Sequence, residues 1–225
     1  MRLTALLLAL IFILPFKADS GSIHPRILDS VRPLSVVVLH DFTTNTDAYR
    51  NICTTSSINA ITHLWLTAAH CVLRTDVDED GTRTTYQETG LSIDGHMVYV
   101  VKVDELIDLA VLFTPDYARP ALRLGKAPFW EDPIRVVGHP FGYSGVTIVA
   151  GTVSNPDAPF HQPGYAPSYM FVTALVAPGN SGSPVVNARG AIVSVLQIGW
   201  GRSYSPGGGV TYARLKAFAG EYFEW

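Results

Sequence analysis

Three stretches of this chain carry side chains that could do chemistry together. They are Pro178-Gly179-Asn180-Ser181-Gly182-Ser183-Pro184, the run Leu64–Cys71 that contains His70, and the run Leu106–Leu112 that contains Asp108. In the first, one serine stands between two glycines and prolines close both ends. Such residues make ordinary surface turns. Here apolar runs flank the loop, Tyr169–Val176 before it and Ala191–Ile198 after it, so it reads as a loop held between strands. A glycine-rich loop in that setting can present backbone N–H groups in a tight concavity beside one exposed hydroxyl. A serine hydroxyl is a weak nucleophile unless a base sits beside it.

His70 follows Leu64-Trp65-Leu66-Thr67-Ala68-Ala69, an apolar strand that ends in small residues. By itself such a histidine is more often a packed core side chain. Asp108 interrupts Leu106-Ile107-Asp108-Leu109-Ala110-Val111-Leu112, a run that should be buried. A carboxylate there costs several kcal/mol unless it is paired or hydrogen-bonded. An imidazole is a suitable partner. The alternative is an aspartate that caps a turn at a strand end.

These residues need a scaffold, and the composition says which kind. The 225 residues suit one large domain or two small ones, and an apolar share of 48% is enough for a sizeable core. A net charge of -3 with no basic run excludes a nucleic-acid or anionic-membrane surface. Short β-branched runs recur between Gly and Pro turns. They are Leu34–His40, Ser57–Ile61, Leu64–Thr67, Leu91–Ile93, Met97–Val103 and Leu106–Phe113, then Ile134–Gly138, Val146–Val153, Tyr169–Val176, Val185–Val186, Ala191–Ile198 and Gly209–Ala213. Thr114–Trp130, with its prolines, reads as a linker between the two groups, and Leu215–Tyr222 as one short helix. Evenly spaced short strands predict an all-β fold, here two small barrels.

The first 20 residues read as a signal peptide: Arg2, an apolar core Leu3–Phe16, then small residues Ala18 and Ser20. An uncleaved membrane anchor or a buried helix is the alternative. Residues 21–33 read as a mobile lead-in. Export implies an oxidising compartment, where Cys53 and Cys71 could form a disulfide; two free buried thiols are the other option. Asp76, Asp78, Asp80 and Gly81 match the opening of an EF-hand calcium loop, but Gln87 stands where the last ligand, a glutamate, belongs. That stretch therefore reads as a solvated hairpin tip, and no metal or other cofactor is expected.

Together, the three stretches resemble the trypsin/chymotrypsin-like serine peptidase superfamily. Thr67–Cys71 is similar to its histidine motif, Asp108–Leu112 to its aspartate motif and Gly179–Pro184 to its nucleophile motif, in the superfamily's order. Val137-Gly138-His139-Pro140-Phe141-Gly142 and Gly151-Thr152-Val153-Ser154 resemble blocks of the bacterial high-temperature-requirement type. The resemblance spans roughly 34–215 and involves the protease domain without a PDZ domain. It implies a chymotrypsin-like double barrel, two six-stranded antiparallel β-barrels at about 34–115 and 130–214 within a domain at 34–225.

The resemblance also implies roles. Ser181 would be the nucleophile, His70 the general base and Asp108 its orienting partner, with the N–H groups of Gly179 and Ser181 as the oxyanion hole. Ser194 would support Asp108. Leu175, Val176, Val193 and Leu196 would line the substrate pocket, and with no charged residue among them a small or medium apolar side chain is expected there. The Cys53–Cys71 pair resembles the disulfide that braces the histidine loop. Asn180, in place of an aspartate, implies no activation by an ion pair to a freed N-terminus, although Arg26-Ile27 looks like a zymogen cut. His139 and Ser183 depart from the type, which carries Asn and Gly there.

The function implied is a secreted or periplasmic serine endopeptidase acting on protein or peptide substrates. It would act as a monomer, without nucleic acid and without stable membrane association after signal cleavage. A catalytically silent binding relative and an esterase with the same triad are the alternatives; comparing amide with ester hydrolysis separates them.

Overall fold

The computed structural model describes residues 24–41, 46–161, 166–199 and 205–224. The expected signal peptide and residues 21–23 lie outside the described residues. Residues 24–33 are not a loose lead-in. Pro25 opens a short helix, α1 (Pro25–Ser30), where its missing N–H costs nothing. His24 Nδ1 accepts from the Arg26 N–H at 3.1 Å, and the Ser30 hydroxyl donates to the Arg26 carbonyl at 2.6 Å. Ile27 and Val31, four apart, are both buried, and that burial anchors the segment. Three apolar residues, Ile27, Leu28 and Val31, among His, Pro and Arg are too few to show as a period.

Among the described residues nine strands follow in the first half: β1 (Val31–Asp41), β2 (Thr46–Asn59), β3 (Leu64–Thr67), β4 (Leu73–Val77), β5 (Arg83–Gln87), β6 (Leu91–Ile93), β7 (His96–Met97), β8 (Tyr99–Asp104) and β9 (Leu109–Phe113). Seven of them form one antiparallel sheet in the order β7-β6-β1-β2-β3-β9-β8, a half-barrel. β4 and β5 form a separate hairpin whose tip carries the acidic residues, with Asp80 accepting from the Thr82 N–H.

The second half has β10 (Pro133–Gly138), β11 (Thr147–Pro159), β12 (Ser168–Val176), β13 (Pro184–Asn187), β14 (Ile192–Gly199) and β15 (Ser205–Gly209), then helix α2 (Tyr212–Ala219). These six strands close a barrel in the order β10-β11-β12-β15-β14-β13. The architecture is thus the expected all-β pair with a short C-terminal helix. The second half is a closed six-stranded barrel, and the first an open sheet of seven strands. The strand expected at Gly209–Ala213 ends at Gly209, because α2 begins at Tyr212.

Each half has its own core. Leu34, Trp65, Ile93, Ala110 and Leu112 fill the first; Val136, Met170, Val172, Val185 and Val193 fill the second. A third apolar cluster takes Ile27, Leu66, Leu109, Val111, Val137, Ile192, Val195, Leu215 and Phe218 from both halves and both helices. Successive residues of a strand face opposite sides. Leu109 and Val111 therefore enter the seam while Ala110 and Leu112 enter the first core, which is why this run is apolar throughout. The segment read as a linker is strapped along β14: Gly125 N–H donates to the Ile192 carbonyl at 2.7 Å and Ile192 N–H to the Arg123 carbonyl at 2.8 Å.

Candidate active site

β3 stops at Thr67, and Ala68 and Ala69, both fully buried, let a single turn at Ala69–Cys71 pack tightly. That turn lifts His70 to the surface, where its side chain is 47% exposed. Asp108 meets it from the turn before β9. Its Oδ2 accepts from His70 Nδ1 at 2.8 Å and its Oδ1 from the His70 backbone N–H at 2.8 Å. A carboxylate only accepts, so Nδ1 carries a ring proton and the ring is turned with Nε2 away from Asp108.

Asp108 sits in the left-handed region at φ 53°, which explains why the strand expected from Leu106 starts only at Leu109. The turn is built locally and from afar. Asp104 accepts from the N–H groups of Leu106 and Ile107 at 3.0 and 3.2 Å. From β14, Gln197 Nε2 donates to the carbonyls of Ile107 and Asp108 at 2.6 Å each. Cys53 and Cys71 are bonded, with Cα atoms 6.0 Å apart, and tie β2 to the histidine turn.

The serine loop runs from the end of β12 to the start of β13. Asn180 N–H donates to the Ala177 carbonyl, Ser183 N–H to the Asn180 carbonyl and Gly182 N–H to the Leu196 carbonyl. The N–H groups of Gly179 and Ser181 find no acceptor among the described residues. Gly179 has φ 93°, and a Cβ on it would stand 2.6 Å from the His139 carbonyl oxygen. Gly182 has φ 81°, and a Cβ there would stand 2.1 Å from the Thr54 carbonyl oxygen and 3.1 Å from the Ala68 nitrogen. Neither position admits a side chain. The close approach at Gly182 sets the serine loop directly on the residues that carry His70.

Two clefts meet at this place. A cavity of about 190 Å³ is lined by Val176, Ala177, Pro178, Ser181, Leu196 and Gln197–Gly199. A larger one, about 560 Å³, holds His70 and Asp108 and shares Gln197–Gly199 with the first. Its far wall includes Leu73, Thr75 and Arg83 of the β4–β5 hairpin.

Of the four residues expected at the substrate pocket, Val176 and Leu196 line the smaller cavity. Leu175 is half-exposed on the outside of the barrel, and Val193 is buried within its core. Ser194 does not support Asp108. Its hydroxyl donates to the Val210 carbonyl at 2.7 Å, because its strand position faces β15 rather than the cleft. Gln197, three residues on, holds the aspartate turn instead.

The two departures from the type lie together in the core. His139, Asn180 and Ser183 are all buried, and Ser183 Oγ, both Asn180 amide atoms and His139 Nε2 have no partner among the described residues. His139 Nδ1 donates to the Tyr143 carbonyl at 3.0 Å. Burial holds the His139 imidazole below its ordinary pKa, the Tyr143 carbonyl opposing this in part.

An imidazole held by an aspartate and a serine loop packed on the residues just before it, over an open sheet and a closed barrel, are in keeping with a serine-type peptidase. The chain belongs to the trypsin-like peptidase domain family, whose model matches residues 53–195. It is 31% identical over 138 residues to Protease Do-like 2, chloroplastic, of Arabidopsis thaliana, which covers 58% of this chain and 21% of that protein. It is 34% identical over 94 residues to a probable periplasmic serine endoprotease DegP-like of Hahella chejuensis, covering 41% of this chain and 20% of that protein. Among solved structures it is similar to HtrA-type protease AlgW with tripeptide, at a TM-score of 0.61 and 21% identity over 88% of this chain and 62% of that one. The same protease with decapeptide gives a TM-score of 0.63 and 20% identity over 86% and 64%. The chain thus spans about a fifth of these curated relatives and less than two thirds of the solved chains.

Proposed function

We propose that this chain is a serine endopeptidase that hydrolyses peptide bonds through His70, Asp108 and Ser181. The observation that carries the reading is the imidazole held at Nδ1 by a carboxylate that also grips its backbone, beside a loop with a serine and two unengaged N–H groups. Ser181 Oγ attacks the scissile carbonyl while His70 Nε2 takes its proton. The tetrahedral oxyanion is received by the N–H groups of Gly179 and Ser181. His70 then returns the proton to the leaving amine, and water repeats the cycle on the acyl-serine.

The residue before the cut enters the 190 Å³ cavity beside Ser181, whose side-chain walls are uncharged and narrowed by Val176 and Leu196. A Cβ on Gly207 would stand 2.9 Å from both of those side chains, which marks how closely they approach. A small or medium aliphatic side chain suits this space. The peptide before that residue lies along the larger cleft.

The chain acts as an exported monomer, consistent with its apolar N-terminal run and with a relative named as periplasmic. Among the described residues no helix is long and apolar enough to cross a membrane. Asn180 offers no charge to a freed N-terminal ammonium, so no activating cut after Arg26 is required; Ile27, packed against Gly190, already serves the fold. The test is hydrolysis of casein and of a peptide library by the purified chain. Ser181→Ala should abolish turnover and leave the thermal unfolding curve in place. Full turnover by that variant would overturn the mechanism.

A further inference from the structure

Two buried polar side chains cross the seam between the halves in opposite directions. Thr54, on β2 of the first half, is fully buried. Its hydroxyl donates to the Gly179 carbonyl at 2.9 Å and accepts the His139 N–H at 2.9 Å. Its backbone N–H donates to the Ser181 carbonyl at 2.8 Å. Its carbonyl in turn accepts from the Thr67 hydroxyl at 2.8 Å, three residues before His70. Gln197, on β14 of the second half, answers from the other side. Both protons of its amide nitrogen go to main-chain carbonyls of the first half, Ile107 and Asp108, at 2.6 Å.

The backbone at the gripped points is telling. Gly179 and Asp108 both have positive φ, 93° and 53°. Aspartate enters that region more readily than most side chains, and here hydrogen bonds from both halves hold it there. A main-chain turn is held more firmly by bonds to its carbonyls than by bonds to its mobile side chain. The two grips therefore act on where the reactive groups point: the peptide units around Gly179 set its N–H and that of Ser181, and the turn at Asp108 sets the carboxylate under His70.

We infer that Thr54 and Gln197 are a reciprocal pair of positioning residues, each half of the molecule using one side chain to fix the reactive turn of the other. Thr54 orients the oxyanion-binding N–H groups and Gln197 orients the Asp108–His70 pair. This rests on the triad proposed above.

The test uses near-isosteric variants of the full chain. Thr54→Val removes the hydroxyl and keeps the shape; Thr54→Ser keeps the hydroxyl. Gln197→Met keeps the length and removes both donors. Thr54→Val should lower kcat by about 10- to 100-fold with KM changed little, the size of losing part of an oxyanion donor's alignment. Its affinity for a peptide boronic acid, which forms a tetrahedral adduct on Ser181, should fall in step, while affinity for an unreactive product peptide stays. Thr54→Ser should recover most of the loss. Gln197→Met should move the acid limb of the kcat–pH profile, a readout that packing alone would not shift.

A second measurement does not need turnover. The Nδ1 proton of His70 and the amide proton of Gly179 report the two grips by NMR. Gln197→Met should shift or broaden the first and Thr54→Val the second. If neither resonance moves, or if Thr54→Val lowers only the melting temperature and keeps kcat, the inference fails. If the parent chain hydrolyses nothing and takes up no boronic acid, the triad reading fails instead, and the resonances still decide the positioning.

Discussion

Asp108 accepts from both the ring and the backbone of His70, so its two oxygens do different work. Asp108→Asn keeps the shape and replaces one acceptor with an amide that donates. The imidazole would then present the wrong tautomer, and kcat should fall about 10⁴-fold, as for that change in the trypsin-type triad. A steady-state assay on a good peptide substrate reads this directly. His139 makes a separate prediction, about stability. Burial lowers its pKa in the folded chain, opposed by the Tyr143 carbonyl and the Val31 backbone, with smaller effects of Arg32 adding to the drop and Asp94 opposing it. The unfolded chain then takes up the proton first as pH falls below about 6.5. Stability is therefore full above that pH and declines below it, by at most about 1.4 kcal/mol per pH unit for this one proton. His139→Asn should flatten that part of the urea-unfolding profile against pH; an unchanged slope would remove His139 from the account. The sequence made Asp108 conspicuous because a carboxylate interrupts an apolar run. Gln197 interrupts Ile192–Ile198 in the same way, and the same rule would have found it. Thr54 had no such mark, since Thr54-Thr55-Ser56-Ser57 offers four alike candidates and only the folded register selects one.

At the level of elements, most of the strands were legible, β4, β5 and the first part of β2 were not, and strand facing was not. β14 pairs with β15 through a register shift between Leu196 and Ile198, and with β13 through another. Such shifts break the simple alternation that would tell which of Val193, Ser194, Leu196 and Gln197 meets the cleft. The resemblance pointed to Ser194 and Val193, and the shifts sent Gln197 there instead. The join between β10 and the serine loop is equally specific. A Cβ on Gly138 would stand 2.0 Å from Ser183 Oγ and 2.7 Å from Asn180 Oδ1. Gly138→Ala should therefore destabilise the chain by about 1–3 kcal/mol through overpacking. Ser183→Gly in that background should recover part of it by taking away the nearer clash. Ser183→Ala alone should leave stability unchanged or raise it by about 1 kcal/mol, because its buried hydroxyl has no partner to lose. Thermal unfolding of the three proteins settles the order. Unequal melting temperatures with Gly138→Ala the most stable would contradict the packing described here.

Across the whole molecule, the two-unit plan could be read from the chain because strands recur on either side of a proline-bearing segment. How the units share a seam could not. Ile27, Leu122 and Phe218 come from a lead-in, a linker and a tail, three stretches whose own patterns say little, and they close the space between the halves. Burying those side chains is what turns two modest sheets into one scaffold. Only that union brings Thr54 to Gly179 and Gln197 to Asp108.

The Cys53–Cys71 bond lies inside this arrangement. Cys53 immediately precedes Thr54, and Cys71 immediately follows His70. Closing 18 residues of chain stabilises the fold by about 3 kcal/mol in the chain-entropy model. Its position gives it a second effect. With the bond open, the strand that steadies the serine loop and the turn that carries the base can drift independently. Thiol treatment should thus lower peptide turnover at temperatures where far-UV circular dichroism still reports a folded chain, and reoxidation should restore it. Turnover that declines only as the chain unfolds would limit the bond to stability. If turnover is lost first, the disulfide would act as an interlock, a reduced chain being assembled yet idle.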